Sequence, residues 1–398
     1  MNALAEGSFL PGEQYAVLTV DARGHGGTGG VVTIDGPREI ADVREAFAWL
    51  AARPDVADAR IGAWGISYGG GAVWNAVAAG VPFAAAETCE TWTDLYSALV
   101  PQDLSKSGAV TGFLGEIAPG TLAPSLESFK TWALLSSNLP ELRAFSAERS
   151  VLSRLSGVTT PVFMMQGRRD FAFGIDQATR AYAALAGPKA LWIGNHGHAP
   201  SAFPASDTTA MMAAGKTWFD RHLRGLPVDT GPPVRVAPEG AADAMGFTKL
   251  PPTRTVKLDL PGTKAITQPA KLVRTAKPTA SALEVFGRPE VTVTATATGG
   301  WSRLVAVLAA RTSTGKEIVV SSGGLPTRSG KHTYRIRMVD QATFVPKGSR
   351  FSITVASSSS AQNPANLLYL DLPMTAGARV TLGPLTVRIP VLTKSISK

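Results

Sequence analysis

Residues 60–71 read RIGAWGISYGGG, a short apolar run that ends in a serine surrounded by glycines. Within it, Gly65–Gly69 fits the pattern G-x-S-x-G, after a predicted strand (59–64) and before a predicted helix of small residues (69–80). In this context the pattern predicts a nucleophile elbow, in which the serine sits in a strained turn with its hydroxyl clear of the sheet. The N-terminus of the following helix favours developing negative charge. Because the chain has 40 glycines, a chance match in a simple strand–helix turn is the alternative.

The predicted elbow lies inside a longer alternation of strands and helices that extends to about residue 225. Strands are predicted at 15–20, 59–64, 82–87, 161–167 and 189–194, and helices at 37–53, 69–80, about 175–186 and up to 225. Such alternation predicts a parallel sheet with helices on both faces. Residues from about 91 to 157 contain helical stretches without a convincing strand, so we expect a helical cap inserted into an α/β domain over residues 1–228.

Beyond Gly225 the helical periodicity ends. A Pro/Gly-rich segment is followed by short strand-like runs at 291–298, 303–310, 316–322, 332–339 and 350–358. Many short strands separated by turn residues predict an antiparallel sandwich or jelly roll, here over residues 229–398. Charge supports two domains, because residues 1–230 carry 17 Lys and Arg against 22 Asp and Glu (−5), and residues 231–398 carry 22 against 8 (+14).

Length and composition argue against several classes of protein. The 398 residues, of which 44% are hydrophobic and 17% charged, suffice for two or three domains with sizeable cores. No apolar run approaches the roughly 20 residues that span a bilayer, and the opening residues lack the pattern of a signal peptide. The lone Cys89 excludes an internal disulfide and a cysteine-built metal cluster. The basic residues of the second domain are scattered along strands, which argues against nucleic-acid binding.

A serine nucleophile needs a base, and the base needs an orienting acid. In a fold with this elbow they follow in the order Ser, Asp or Glu, His. Asp170 lies just past one predicted strand, and His196 and His198 lie just past the next. Because catalytic groups of parallel sheets gather at the carboxyl ends of the strands, Ser67, Asp170 and one of the two histidines are expected to converge.

Several segments resemble those of the X-Pro dipeptidyl-peptidase and cocaine-esterase type of serine hydrolase, namely DARGHGG, GAWGISYGG, QGRRDFAF and GNHGHAPS. The C-terminal half adds LEVFGRPEVTVTATAT and FVPKGSRFSITVASS, which are similar to that family's jelly-roll domain. The resemblance runs from about residue 10 to the end and implies an α/β-hydrolase domain followed by a jelly roll. The family's catalytic histidine closes a G-P-W-x-H stretch; Gly194–His198 departs from it at two places and puts His198 at the final position, with His196 as the rival. The family's acid falls on Asp170.

The resemblance also implies an oxyanion hole, whose first donor would be the backbone N–H of Tyr68. In the relatives a second donor, often a tyrosine hydroxyl, lies upstream, in a stretch that is not present in this sequence. If residues 15–20 are the family's fourth strand, then strands one to three are missing, and the third normally lies between the fourth and the fifth. We therefore expect an N-terminally truncated domain in which 15–20 and 59–64 lose their shared partner or pair directly.

Two functions of other classes remain as alternatives. Gly24–Gly29 fits G-x-G-x-x-G, a pattern of dinucleotide-binding oxidoreductases. Three residues separate it from the preceding strand and no helix start follows it, so this function is disfavoured. The other alternative is a catalytically impaired fragment that acts as a binding protein, because missing strands would weaken an enzyme.

Together these features predict a serine hydrolase without cofactor or metal that acts on a small-molecule ester or peptide through an acyl-enzyme. An X-Pro dipeptidyl-peptidase is the first expectation, and a carboxylesterase or acylase is the alternative. A dipeptidyl peptidase needs an acid for the free amine of its substrate, and Glu87, Glu90 and Asp94 are near in sequence. The aromatic residues Trp92, Tyr96 and Trp132 are candidates for an acyl pocket, although a core role is favoured for each.

We expect neither a nucleic-acid nor a membrane partner, and a homo-oligomer is left open. The location is expected to be cytoplasmic by default, or secreted if an upstream segment carries an export signal.

Overall fold

The structure is a computed structural model that describes residues 2–12, 15–57, 60–198, 201, 205–241, 243–360, 366 and 368–397. Its contacts divide the chain into two compact units. The first comprises Met1–Ala98, Leu114–Thr131 and Pro140–Leu250, and the second Leu99–Phe113, Trp132–Leu139 and Pro251–Lys398. No helix in the described part of the chain combines the length and the apolar character that a bilayer crossing needs.

The first unit is built on a six-stranded sheet in the order β1-β2-β3-β4-β5-β6. Its strands are β1 (Gly62–Ile66), β2 (Ala85–Cys89), β3 (Val162–Gly167), β4 (Lys189–Gly194), β5 (Val234–Val236) and β6 (Met245–Phe247). Strands β1 to β5 are parallel and β6 is antiparallel. The carboxyl ends of β1 to β4 therefore meet at one edge of the sheet.

The described helices precede β1 or lie between strands of this sheet along the chain. They are α1 (Asn2–Phe9), α2 (Pro37–Ala51), α3 (Tyr68–Ala78), α4 (Leu95–Leu99), α5 (Ser107–Glu116), α6 (Glu127–Leu135), α7 (Leu139–Glu148), α8 (Ile175–Ala184) and α9 (Ala205–His222). Every residue of β2 and β3 is buried, as expected for parallel strands covered on both faces. Phe163 and Met165 of β3 pack in one core cluster with Trp218 and Phe219 of α9. The predicted helix-covered parallel sheet is confirmed.

The strand predicted at 15–20 is wrong. These residues form no strand, and Leu18 and Val20 are 40% and 63% exposed. Among the described residues β1 pairs with β2 alone, so β1 is an edge of this sheet. Within the described ranges no strand lies beside this segment to satisfy its backbone groups, which explains why its β-rich composition does not produce a strand. Part of the strand predicted at 59–64 lies outside the described residues, since Ala59 is one of those not described.

The domain boundary predicted at 228/229 falls earlier than the division after Leu250. The Pro/Gly-rich composition suggested a linker, but β5 pairs with β4, and Val234 and Val236 are completely buried. The three residues of β5, Val-Arg-Val, are too short a run to show as a strand in sequence.

The insertion at 91–157 consists of helices α4 to α7 and short helical turns, without a strand. It was expected wholly within the first domain, yet 99–113 and 132–139 belong to the second unit. Polar contacts explain this division: Gln102 Nε2 donates to Arg335 O at 2.8 Å, and Leu370 N–H donates to Ser107 Oγ at 2.9 Å. That the insertion forms a cap over the site stays a prediction.

The second unit holds two antiparallel sheets. One has the order β14-β11-β17-β10-β15, with β7 and β8 also paired to β17, and the other has the order β13-β12-β16-β9. Their strands are β7 (Thr253–Leu260), β8 (Lys264–Thr267), β9 (Leu272–Pro278), β10 (Leu283–Gly287), β11 (Glu290–Thr298), β12 (Arg303–Arg311), β13 (Glu317–Pro326), β14 (Gly330–Arg337), β15 (Gln341–Val345), β16 (Arg350–Ala356) and β17 (Arg379–Leu392). Apolar residues of β11 and β12 lie in one buried cluster, which confirms the predicted sandwich of jelly-roll type.

Sequence patterns missed the longest strand of this unit, β17. Pro384 and Pro390 interrupt its apolar alternation, and proline normally argues against a central strand. Pairing with β11 shifts register where Val293 faces Leu385 and Ala295 faces Leu382, so Pro384 lies at a bulge.

Candidate active site

Ser67 stands in the turn from β1 into α3. Its backbone has φ 53° and ψ −117°, a conformation that favours glycine and is strained for serine. The Ser67 N–H donates to Cys89 O at 2.9 Å, and the Ser67 carbonyl accepts from Gly71 N at 3.0 Å and from Thr91 Oγ1 at 2.8 Å. The strand–turn–helix predicted around this serine is therefore present, and hydrogen bonds on both sides of the residue hold its strained backbone.

The glycines of the turn play different parts. A Cβ on Gly65 would lie 2.2 Å from the carbonyl oxygen of Gly69, so no side chain fits there. A Cβ on Gly69 would meet nothing within 4 Å. A side chain is thus excluded at Gly65 but not at Gly69.

Two hydrogen bonds connect Ser67, His198 and Asp170. Nε2 of His198 lies 2.8 Å from Oγ of Ser67, and Nδ1 lies 2.7 Å from Oδ2 of Asp170. Asp170 follows β3 and is fully buried, and its Oδ1 accepts the backbone N–H groups of Ala172 and Phe173, both at 2.9 Å. These bonds orient the carboxylate, which in turn orients the imidazole toward the serine hydroxyl.

The charges around His198 favour its protonated form. Burial acts to lower the pKa of His198, but the Asp170 carboxylate raises it, with smaller contributions from Glu90 and Glu116, and the net pKa is raised. The ring of Phe173 packs edge-on against the imidazole, with 5.1 Å between ring centroids. The site can therefore stabilise the imidazolium that forms when His198 accepts a proton.

Residues 12–200, which include all three side chains, match the family model of the X-Pro dipeptidyl-peptidases (S15 family). Over these residues, just under half of its length, the chain is similar to this family. This similarity supports the serine hydrolase that the sequence predicted.

Solved structures share the fold of this chain. A CocE/NonD family hydrolase from Staphylococcus aureus has a TM-score of 0.73 at 14% identity, covering 93% of this chain and 79% of that chain. An α-amino acid ester hydrolase has a TM-score of 0.70, and an aminopeptidase from the marine sediment archaeon Thaumarchaeota archaeon has 0.68; each is 15% identical and covers 93% of this chain and 84% of its own. No curated protein is similar enough to match the chain. At such identities the likeness shows the fold, an α/β-hydrolase followed by a jelly roll.

Tyr68 is the first residue of α3, so its backbone N–H lies at the positive end of the helix. Its hydroxyl donates to Glu39 Oε2 at 2.6 Å and accepts from Asp35 N at 3.1 Å. Burial, together with the nearby Asp35 and Glu39 carboxyls, raises the pKa of Tyr68 well above its usual range. The hydrogen bond to Glu39 holds the side chain of Tyr68, the residue after Ser67, in place. Sequence reasoning missed Glu39, because an acid in the first turn of a helix is ordinary.

His196, the rival histidine, has a different partner. Its Nδ1 makes a hydrogen bond with the Glu90 carboxylate, and both side chains are buried. Burial raises the pKa of Glu90, while the hydrogen bond to His196 acts against that rise. The structure therefore brings His198, and not His196, to the hydroxyl of Ser67.

Of the other two acids considered for binding a substrate amine, one is buried and one is paired with other groups of the protein. Glu87 is fully buried against α9, where a Cβ on Gly215 would lie 2.6 Å from its carboxylate. Asp94 accepts from Ser97 N at 3.1 Å and pairs with Arg180 at 3.3 Å.

The three aromatic candidates for an acyl pocket have different surroundings: Trp92 is buried, whereas Tyr96 and Trp132 are partly exposed. Trp92 is 4% exposed, and its Nε1 donates to Arg149 O at 2.9 Å, which indicates a core role. Tyr96 carries the guanidinium of Arg143 over its ring, 4.8 Å from the centroid. Trp132 belongs to the second unit.

The glycine-rich stretch Gly24–Gly29 forms turns, with Gly24 N–H donating to Gly29 O at 3.2 Å. The next helix begins only at Pro37, so the stretch does not open a helix as a dinucleotide loop does.

Two groups of potential metal ligands occur among the described residues, each within 4.8 Å: Cys89, Glu90 and His196, and Glu90, Asp170 and His198. The hydrogen bonds between Glu90 and His196 and between Asp170 and His198 account for this closeness without an ion.

Proposed function

We propose that Ser67, His198 and Asp170 form a catalytic triad and that the chain hydrolyses esters or peptides through an acyl-enzyme. The observation that carries this proposal is the continuous pair of hydrogen bonds, 2.8 Å from Ser67 Oγ to His198 Nε2 and 2.7 Å from His198 Nδ1 to Asp170 Oδ2. Nucleophile, base and orienting acid thus stand in the order that acyl transfer requires.

In the acylation step, Ser67 Oγ bonds to the substrate carbonyl carbon while its proton passes to His198 Nε2. Asp170 stabilises the imidazolium, and the N–H of Tyr68 donates to the oxyanion of the tetrahedral intermediate. His198 then gives the proton to the leaving alcohol or amine as its bond to the carbonyl carbon breaks. Water attacks the acyl-enzyme in the same way, with His198 taking its proton and returning it to Ser67.

For the substrate, we propose a small peptide cleaved by X-Pro dipeptidyl-peptidase-like activity, because the matched family is of this kind. A carboxylesterase or acylase activity is the second candidate. It is favoured by the state of the acids that sequence offered for the substrate amine: Glu90 is held by His196, Glu87 is buried against α9, and Asp94 pairs with Arg180.

A fluorophosphonate probe tests the triad directly. Wild-type protein should be labelled covalently and Ser67→Ala should not. Ser97→Ala, which removes a hydroxyl from α4, is the matched control and should label like wild type. A folded wild-type sample that stays unlabelled would contradict the proposal and favour a binding protein.

Two chromogenic substrates separate the two activities. We expect Ala-Pro-p-nitroanilide to be turned over if a peptide is the substrate, with loss of turnover in Ser67→Ala. Turnover of p-nitrophenyl butyrate without turnover of the anilide would establish the ester candidate instead.

A further inference from the structure

We propose that Glu90 is a positioning residue for this triad: its carboxylate, held by His196, acts on His198 as a second negative charge beside Asp170. The inference rests on the proposed function, since it gives Glu90 a part in the same proton transfer.

The first ground is the position of the Glu90 carboxylate. Glu90 directly follows β2, and a carboxylate oxygen of Glu90, one of Asp170 and a ring nitrogen of His198 all lie within 4.8 Å of one another. Glu90 is 1% exposed, so little water lies between these groups to screen their charges. A charge at Glu90 therefore acts on His198 at short range.

The second ground is that the protein holds Glu90 in place against a cost. Its backbone has φ 45°, which is unfavourable for a residue other than glycine, and its N–H donates to Met165 O at 2.9 Å. Burying the Glu90 carboxylate beside that of Asp170 is also unfavourable. Burial and the charge of Asp170 both act to raise the pKa of Glu90. A partner is needed to offset these costs.

His196 is that partner, and it ties Glu90 to the loop that carries His198. Its Nδ1 bonds to the Glu90 carboxylate, and its ring is buried. A Cβ on Gly194 would lie 2.7 Å from both His196 Nε2 and Asp207 Oδ2, so the ring is confined from that side as well. Because His198 comes two residues after His196, the Glu90–His196 bond and the Asp170–His198 bond hold the same loop.

Three carboxylates act to raise the pKa of His198. They are Asp170 on the loop after β3, Glu90 after β2, and Glu116 at the end of α5. The groups acting on Glu90 are His196, Asp170 and His198. A carboxylate 4–6 Å from a histidine shifts its pKa upward by about 1–3 units, so removing the Glu90 charge should favour the neutral imidazole.

The experiment compares Glu90→Gln with Glu87→Gln. Glutamine keeps the shape and an oxygen acceptor for His196 but removes the charge. Glu87 is the matched control, because it is a fully buried acid in β2, the strand that Glu90 follows, and faces α9. In a Ser67→Ala background, histidine-selective NMR follows the His198 titration without any catalysis, and the chain has only 5 histidines to assign.

We expect Glu90→Gln to lower the His198 pKa by about one unit or more, and Glu87→Gln to leave it unchanged. In the Ser67-containing enzyme, the acid limb of kcat/KM should move to lower pH by the same amount. An unchanged His198 pKa in folded Glu90→Gln, or an equal shift in Glu87→Gln, overturns the inference. If Glu90→Gln lacks the wild-type near-UV circular dichroism, the Ser67→Ala protein supplies the test. The proposed coupling requires a second step in the His198 titration where Glu90 is protonated, and a single step overturns the inference.

The inference and the proposed function fail separately. Fluorophosphonate labelling reports on the triad alone. A labelled enzyme whose His198 does not respond to Glu90 would keep the function and remove the role of Glu90.

Discussion

Replacing Ser67 by glycine is expected to give a more stable protein than replacing it by alanine. Both changes remove the hydroxyl and its 2.8 Å hydrogen bond to His198, so the difference between them isolates the backbone. At φ 53° and ψ −117°, glycine is unstrained while alanine keeps the strain of serine, about 1–3 kcal/mol. Glycine loses about 0.5–1 kcal/mol more conformational entropy on folding, which leaves Ser67→Gly the more stable variant by up to about 2.5 kcal/mol.

Urea unfolding followed by tryptophan fluorescence measures this difference, because Trp74 is 1% exposed in α3, directly after the turn. Ser146 in α7 provides the matched control, since at a helical position the order should reverse and glycine should be less stable than alanine by about 0.5–1 kcal/mol. The reasoning would be refuted if Ser67→Gly were no more stable than Ser67→Ala while the Ser146 variants behaved as expected. The backbone at position 67 would then not be strained for a residue with a Cβ.

Asp170→Asn should lower kcat by about 10⁴-fold with little change in KM, as loss of the orienting carboxylate does in other triads; a loss under tenfold in steady-state kinetics would argue against its role. The kcat/KM profile should rise with pH through a midpoint above about 6.5, because neutral His198 is the base and its pKa is raised, whereas a lower midpoint would contradict the charge arrangement. Gly65→Ala should unfold the turn or abolish activity, because its Cβ would lie 2.2 Å from Gly69 O, while Gly69→Ala should keep near-wild-type activity and thermal midpoint; equal tolerance at both positions would refute the packing argument.

The sequence allowed the parallel sheet and the order of the candidate triad to be predicted, because both depend on local patterns. The strands predicted at 161–167 and 189–194 match β3 and β4 within one residue, and Asp170 and His198 follow their carboxyl ends. Parallel strands bring such ends to one edge whatever the intervening chain does. The choice between His196 and His198 needed either a family pattern or the coordinates.

Contacts between distant residues were decided by the tertiary structure alone. The Tyr68–Glu39 bond spans 29 residues and the Glu90–His196 bond spans 106, and neither acid carries a local mark that separates it from a solvated surface charge. The same reason explains the two errors in strand prediction. Residues 15–20 have strand composition, but no described strand pairs with them. Strand β17 contains two prolines, but other strands pair with it on both sides. Composition determines which secondary structure the backbone favours. Burial and pairing with remote segments determine which structure forms and which charged groups lie near a given side chain.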